Sequence, residues 1–249
     1  QRLTHWLTHF GFFAGDAPQE FYDLFFAEVV KQARHLNRTI MKSVTGPGRI
    51  QGLKGLIYCG VALPGYENYL HSGLRHLENE LDRQIFPDGG HYSRNPHIHM
   101  DVLADLVAIR ETFIAAHIDV PAWLTGAIER MVPMLRALRH ADGGLAFFNG
   151  ANTGDPAVID ALLTKSEVKT RAISSAPHTG FHRLSAGRTT VLPGSLEATA
   201  AAIEREGSEA LCLPADILYE ASVLSAATAS LDHFGHIYLL FNNAVYQGS

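Results

Sequence analysis

Cysteine is scarce in this sequence. Cys59 and Cys212 are the only two, far apart on segments that read as buried, which excludes both a disulfide framework and a clustered cysteine metal site. Long hydrophobic runs are missing as well, and no stretch approaches the roughly 20 apolar residues a helix needs to cross a bilayer. There is no basic excess: with a formal charge of -5 and a pI near 6.3 the chain has no electrostatic footprint for nucleic acid. It opens at Gln1 with neither a methionine nor a charged-then-apolar leader, so it reads as a fragment or a processed product, and its compartment stays open. No internal repeat stands out.

What is present is a globular composition of 249 residues, 47% hydrophobic and 18% charged, enough for one full domain or two modest ones. Residues 1–15, with Trp6, Phe10, Phe12 and Phe13, read as a helix or docking segment. Asp16 reads as an N-cap with Pro18 in the first turn, opening a helix to Leu36 on the stripe Phe21, Leu24, Phe25, Val29 and Leu36. Thr45-Gly46-Pro47-Gly48 breaks it. Further helices are predicted over 49–63, 67–85, 101–117 and 121–138, separated by Pro/Gly signals, and successive helices joined this closely pack as antiparallel hairpins.

From Ala141 the texture changes. Asp142-Gly143-Gly144 and Asn149-Gly150 are turns, Asp155 caps a short helix through Leu163, and His178–Leu184 with Thr189–Leu192 reads as a β-hairpin. On that hairpin His178 and His182 fall on one face. Beyond Pro193, helices over 196–206 and 221–234 alternate with apolar strands over 210–214 and 237–241, the pattern of a parallel α/β sheet.

The polar stretch from Arg83 to Asp101 is the candidate site. It concentrates His91, His97, His99, Tyr92, Asn95, Arg83 and Arg94 between two apolar-striped helices. A connector needs the turn chemistry of Pro87-Asp88-Gly89-Gly90 and the helix start at Asn95-Pro96, but not this density of titratable and amide side chains.

Gln32–Leu36, Arg83–Pro96, Met134–His140, Phe148–Gly150 and Ala176–Leu184 together resemble, in order, the heparinase II/III-like family over residues 20–192. The resemblance implies a mainly α protein. Residues 1–140 would be an incomplete α/α-toroid of helical hairpins, and residues 141–192 the β-rich start of a truncated sandwich domain. Residues 195–249 resemble instead the middle of a short-chain dehydrogenase/reductase, through Leu196–Gly207, Ala215-Asp216-Ile217 and Phe241-Asn242-Asn243-Ala244. That makes 193–249 a partial Rossmann-like α/β tail. Val245 replaces that motif's final glycine, and both the glycine-rich phosphate turn and the Tyr-x-x-x-Lys pair are missing, so no nicotinamide or other cofactor is expected.

The first resemblance implies polysaccharide lyase chemistry, β-elimination on uronate-containing glycans. Such an enzyme neutralises the substrate carboxylate, removes the neighbouring carbon's proton and protonates the leaving oxygen. Asn95 or His91 would hold the carboxylate, Tyr92 would be base or proton donor, and Arg94 would pair with the acidic sugar, with Arg83 and His97 as further substrate contacts. Relatives place a tyrosine near Ile98, where this chain has no proton-handling group; His97 and His99 flank that position and would compensate, which makes His99 a catalytic candidate beside His91, Tyr92 and Asn95. No carboxylate or cysteine at ligand spacing completes a zinc site with His91, His97 and His99, so no metal is expected. The predicted partner is an acidic polysaccharide or oligosaccharide, with no nucleic acid and no membrane. The rival readings are a short-chain oxidoreductase fragment and a non-catalytic carbohydrate-binding or structural helical module.

Overall fold

The computed structural model describes residues 2–186, 189–191 and 220–235. The chain divides into two compact units, residues 1–173 and 174–249.

The first unit is helical. It runs α1 (Arg2–Thr8), α2 (Phe10–Ala14), α3 (Gln19–Ser43), α4 (Pro47–Ala62), α5 (Glu67–Gln84), α6 (Pro96–Ala115), α7 (Ala122–Ala137) and α8 (Pro156–Lys165). α4 is the hub, touching α1, α3, α5 and α6, while α7 and α8 both pack on α6. Its burial is correspondingly all round, with Ile50, Leu53, Leu56, Ile57, Tyr58 and Cys59 enclosed. The close approach of α4 to α5 requires Gly60, where a Cβ would overlap the Leu70 backbone. Leu77, Leu103, Leu106, Phe113, Ile128 and Leu135 extend the same core. At the N-terminal end Phe10 sits 5.0 Å from the Phe25 ring and 5.2 Å from Phe26, so the aromatic segment docks on α3.

Several boundaries differ from the periodic reading for local reasons. α3 starts at Gln19 rather than after Asp16, because Pro18 holds the extended geometry of a cap (φ -68, ψ 157), and it runs on to Ser43 because Ile40 continues the buried stripe. α6 begins at Pro96, at the Asn95-Pro96 start signal and five residues before the periodic stripe, because the Asn95 side chain caps it. The stretch after residue 140 packs back onto the helices. Arg110 of α6 reaches the C-terminus of α8, donating from Nη1 to the Ser166 carbonyl (2.8 Å) and from Nη2 to the Lys165 carbonyl (2.6 Å), which satisfies the last turn. No helix among the described residues is long and apolar enough to cross a membrane.

In the second unit β1 (Ser175–Ala176) pairs antiparallel with β2 (Phe181–His182), and β3 (Leu184–Ala186) with β4 (Thr189–Val191). His178 therefore lies in the turn between β1 and β2 and does not share a strand with His182, since Gly180 (φ 78) reverses the chain there. α9 (Glu220–Phe234) follows the predicted helix. The predicted helix over 196–206 and the strands over 210–214 and 237–241 lie outside the described residues.

Candidate functional site

The loop between α5 and α6 is a folded-back turn. Ile85 bridges His91 antiparallel, Phe86 N–H donates to the Gly90 carbonyl (2.8 Å), and Asp88 Oδ1 accepts from Gly90 N–H (3.1 Å). Gly89 is indispensable twice over. Its φ of +84 is left-handed, and a Cβ there would overlap the Arg130 carbonyl of α7, so the turn lies directly on that helix.

A buried polar chain fixes the rest. Arg49 at the start of α4 pairs with Glu80 of α5 at 2.6 Å, and Glu80 accepts from Gln84 Nε2 at 2.8 Å. That nitrogen also donates to the Gly46 carbonyl (3.0 Å), which leaves Gln84 Oε1 as an acceptor facing His91 Nε2 at 3.2 Å. His91 is thereby set as the Nε2–H tautomer, and its Nδ1 accepts from the Ser93 hydroxyl (2.8 Å) and the Ser93 N–H (3.2 Å). Burial tends to raise Glu80, but Arg49 and Gln84 outweigh it and hold the carboxyl below its usual range.

Asn95 is a strut of the same kind. Its Oδ1 accepts from the His97 and Ile98 N–H groups (2.9 and 3.0 Å), capping α6, and its Nδ2 donates to the Asn149 carbonyl (2.7 Å). Asn149 Nδ2 returns a bond to the Arg94 carbonyl (2.8 Å). His99, fully enclosed, donates from Nε2 to the Met131 carbonyl (3.0 Å). Burial is the main cause holding both imidazoles at about 4; proximity to His99 adds to the lowering of His91, while the Met131 bond and Asp88 partly offset it for His99. Both rings are neutral at physiological pH.

The remaining predicted residues face outward to differing degrees. Tyr92 is 44% exposed, with its ring 4.7 Å from that of His91 and its hydroxyl against Gly46. Arg83 is exposed and stands 3.4 Å from Glu80. Arg94 is partly buried with a left-handed φ of 56. His97 lies on the first turn of α6, its Nε2 3.8 Å from Asp101. Burial raises the Asp101 carboxyl. No three His, Cys, Asp or Glu groups converge on a metal position among the described residues.

The segment from Arg83 to His99 thus divides the seven predicted residues, with His91, Asn95 and His99 inward and Tyr92, Arg83, Arg94 and His97 at least partly open. The sequence reading missed Arg49, Glu80, Gln84, Ser93 and Asn149. For two of them a signal existed, because Glu80 and Gln84 share a helical face with the core residues Leu77 and Leu81, and polar side chains on an apolar stripe ask for partners.

The profile described as heparinase II/III N-terminus matches residues 1–169. The chain belongs to the heparinase II/III family. The matched region takes in the aromatic N-terminal segment and ends before the Ala176–Leu184 motif. FtsZ-localized protein C of Caulobacter vibrioides is 32% identical over 186 residues, covering 72% of this chain and 30% of that protein. The chain therefore spans under a third of this curated relative's length. A crystal structure of heparinase III superposes with a TM-score of 0.60 at 18% identity, over 66% of this chain and 27% of that one. A second heparinase III, with methylated lysines, gives 0.60 at 19%, over 77% and 34%. At these identities the likeness shows the fold alone, a mainly helical domain matching the helical region of heparinase III.

Proposed function

We propose that this chain supplies the glycan-facing helical part of a polysaccharide lyase-like protein, with the α5–α6 loop holding an acidic sugar. The family membership supports the substrate class. The outward groups of the loop support the mode of contact: guanidinium groups such as Arg83 and Arg94 pair with carboxylate or sulfate oxygens in a fork geometry, and the half-exposed Tyr92 phenol has a proton to donate.

The observation behind holding, as opposed to elimination by this chain alone, is the commitment of the inward groups. A base must approach the carbon acid to hydrogen-bond distance. His91 has both ring nitrogens bonded and His99 is enclosed. Asn95 spends its oxygen on the α6 cap and one N–H on Asn149. These three set the shape of the loop; Tyr92 and His97 are the groups left for proton transfer, and the complete reaction draws on residues beyond this region of the family fold.

The test is a panel of heparan sulfate, hyaluronan and alginate against neutral dextran. Salt-sensitive binding of acidic chains, abolished in Arg94→Ala, with no absorbance from an unsaturated uronate product, is the expected result. Failure to bind any acidic glycan at low salt removes the proposal, and appearance of the unsaturated product reassigns the loop from holding to elimination.

A second reading rests on the 32% identity to a protein named for its localisation with FtsZ, well above the 18–19% identity to the heparinases. On that reading the domain is a non-catalytic structural module of the division apparatus. Co-sedimentation with FtsZ polymers, combined with no glycan binding, favours it.

A further inference from the structure

We infer that Phe147 is a stacking platform for a sugar ring and forms a second wall of the acidic-sugar site. The inference rests on the holding role given to the α5–α6 loop and extends it to a segment more than fifty residues away in sequence.

Phe147 lies on a turn anchored on both sides. Before it, Ala146 N–H donates to the Leu138 carbonyl at the end of α7 (2.8 Å). After it, Asn149 and Gly150 both take left-handed conformations (φ 51 and 76), and Ala151 N–H closes the turn on the Phe148 carbonyl (3.0 Å). The reciprocal amide bonds Asn95 Nδ2 to Asn149 O and Asn149 Nδ2 to Arg94 O then staple this turn to the loop. Between these anchors the Phe147 side chain is 67% exposed.

A single exposed apolar residue is ordinary. This one differs because its backbone is already fixed, so little ordering entropy opposes binding on its ring. A pyranose offers a face of C–H groups that packs on an aromatic ring while its hydroxyls stay at the rim in water. The turn is bonded to the backbone carbonyl of Arg94 itself, so the exposed ring and a guanidinium-bearing residue belong to one stapled segment. A uronate has the matching pair of features, a C–H face and a carboxylate. A neutral sugar has only the first.

Binding of a hyaluronan or heparan sulfate tetrasaccharide to Phe147→Ala, Phe147→Leu, Phe147→Trp and Arg94→Ala, each compared with wild type, tests the inference. Phe147→Ala and Phe147→Leu are expected to bind about tenfold more weakly or worse, as loss of a central aromatic contact implies. Phe147→Trp is expected to retain affinity within about threefold and to change its indole fluorescence on saturation. The urea midpoint of every Phe147 variant should match wild type, because the ring is exposed. If wild type binds, Arg94→Ala does not, and Phe147→Ala binds as wild type, the platform is wrong while the holding role stands. If wild type binds neither oligosaccharide, the holding role fails and the platform with it.

Discussion

Acidification should weaken the helical unit well before its carboxylates titrate. His91 and His99 are both buried, and both are held at about 4 against an ordinary value of 6.5. Above pH 6.5 each imidazole is neutral whether the chain is folded or not, so its contribution is fully present. Below 6.5 the unfolded imidazole takes up a proton that the folded one refuses, and stability is lost until the pH passes the folded value. At ~1.4 kcal/mol per pH unit, the fall from 6.5 to 5 removes about 2 kcal/mol for each histidine and about 4 for the pair. The two losses should at least add, because charge on His99 disfavours charge on His91. Glu80, whose carboxyl is depressed, contributes stability above its unfolded value of 4.5 and loses it only below this window. Asp101 is raised by burial and acts in the opposite direction, gaining stability as it protonates. Urea unfolding followed by tryptophan fluorescence reads the helical unit directly, since the chain's two tryptophans, Trp6 and Trp123, both lie within it. The comparison is wild type against His91→Gln/His99→Gln at pH 7.5 and 5. A wild-type stability unchanged between the two, or an equal acid loss in the double variant, refutes the assignment of these histidines as buried neutral struts.

Asn95→Ala should destabilise by about 2 kcal/mol in urea unfolding at neutral pH, ~1 from the lost α6 cap and ~1 from the bond to Asn149. Equal stability would show that the staple contributes nothing. Glu80→Gln should cost about 3 kcal/mol because it strands the mostly buried Arg49 guanidinium, whereas Arg83→Ala, the same carboxylate's exposed partner, should stay within about 0.5 kcal/mol. The contrast between the two in parallel urea titrations is the check; equal effects would mean that burial does not set the strength of these pairs.

Much of the architecture was legible because its causes are local. The 3.6-residue stripes of α5 and α7, the breaks at Gly46-Pro47 and Pro64-Gly65, and the cap at Asp155 each depend on residues within a turn or two of one another. The concentration of polar groups between Arg83 and Asp101 was legible for the same reason. Their orientation was legible only for Asn95, whose place before Pro96 marks a helix cap; nothing near His91 or His99 in the sequence says which way they face.

What the amino-acid order determined by itself was the series of helices, their spacing and the place of the polar loop, through propensity, periodicity and turn residues. Only the tertiary structure decided which of the loop's side chains hold it together and which meet solvent. Arg49 finds Glu80 across 31 positions, His99 finds Met131 across 32, and Asn95 finds Asn149 across 54. A hydrogen-bond partner supplied from such a distance exists only once the helices have packed, and it is that partner which turns a titratable side chain into a strut.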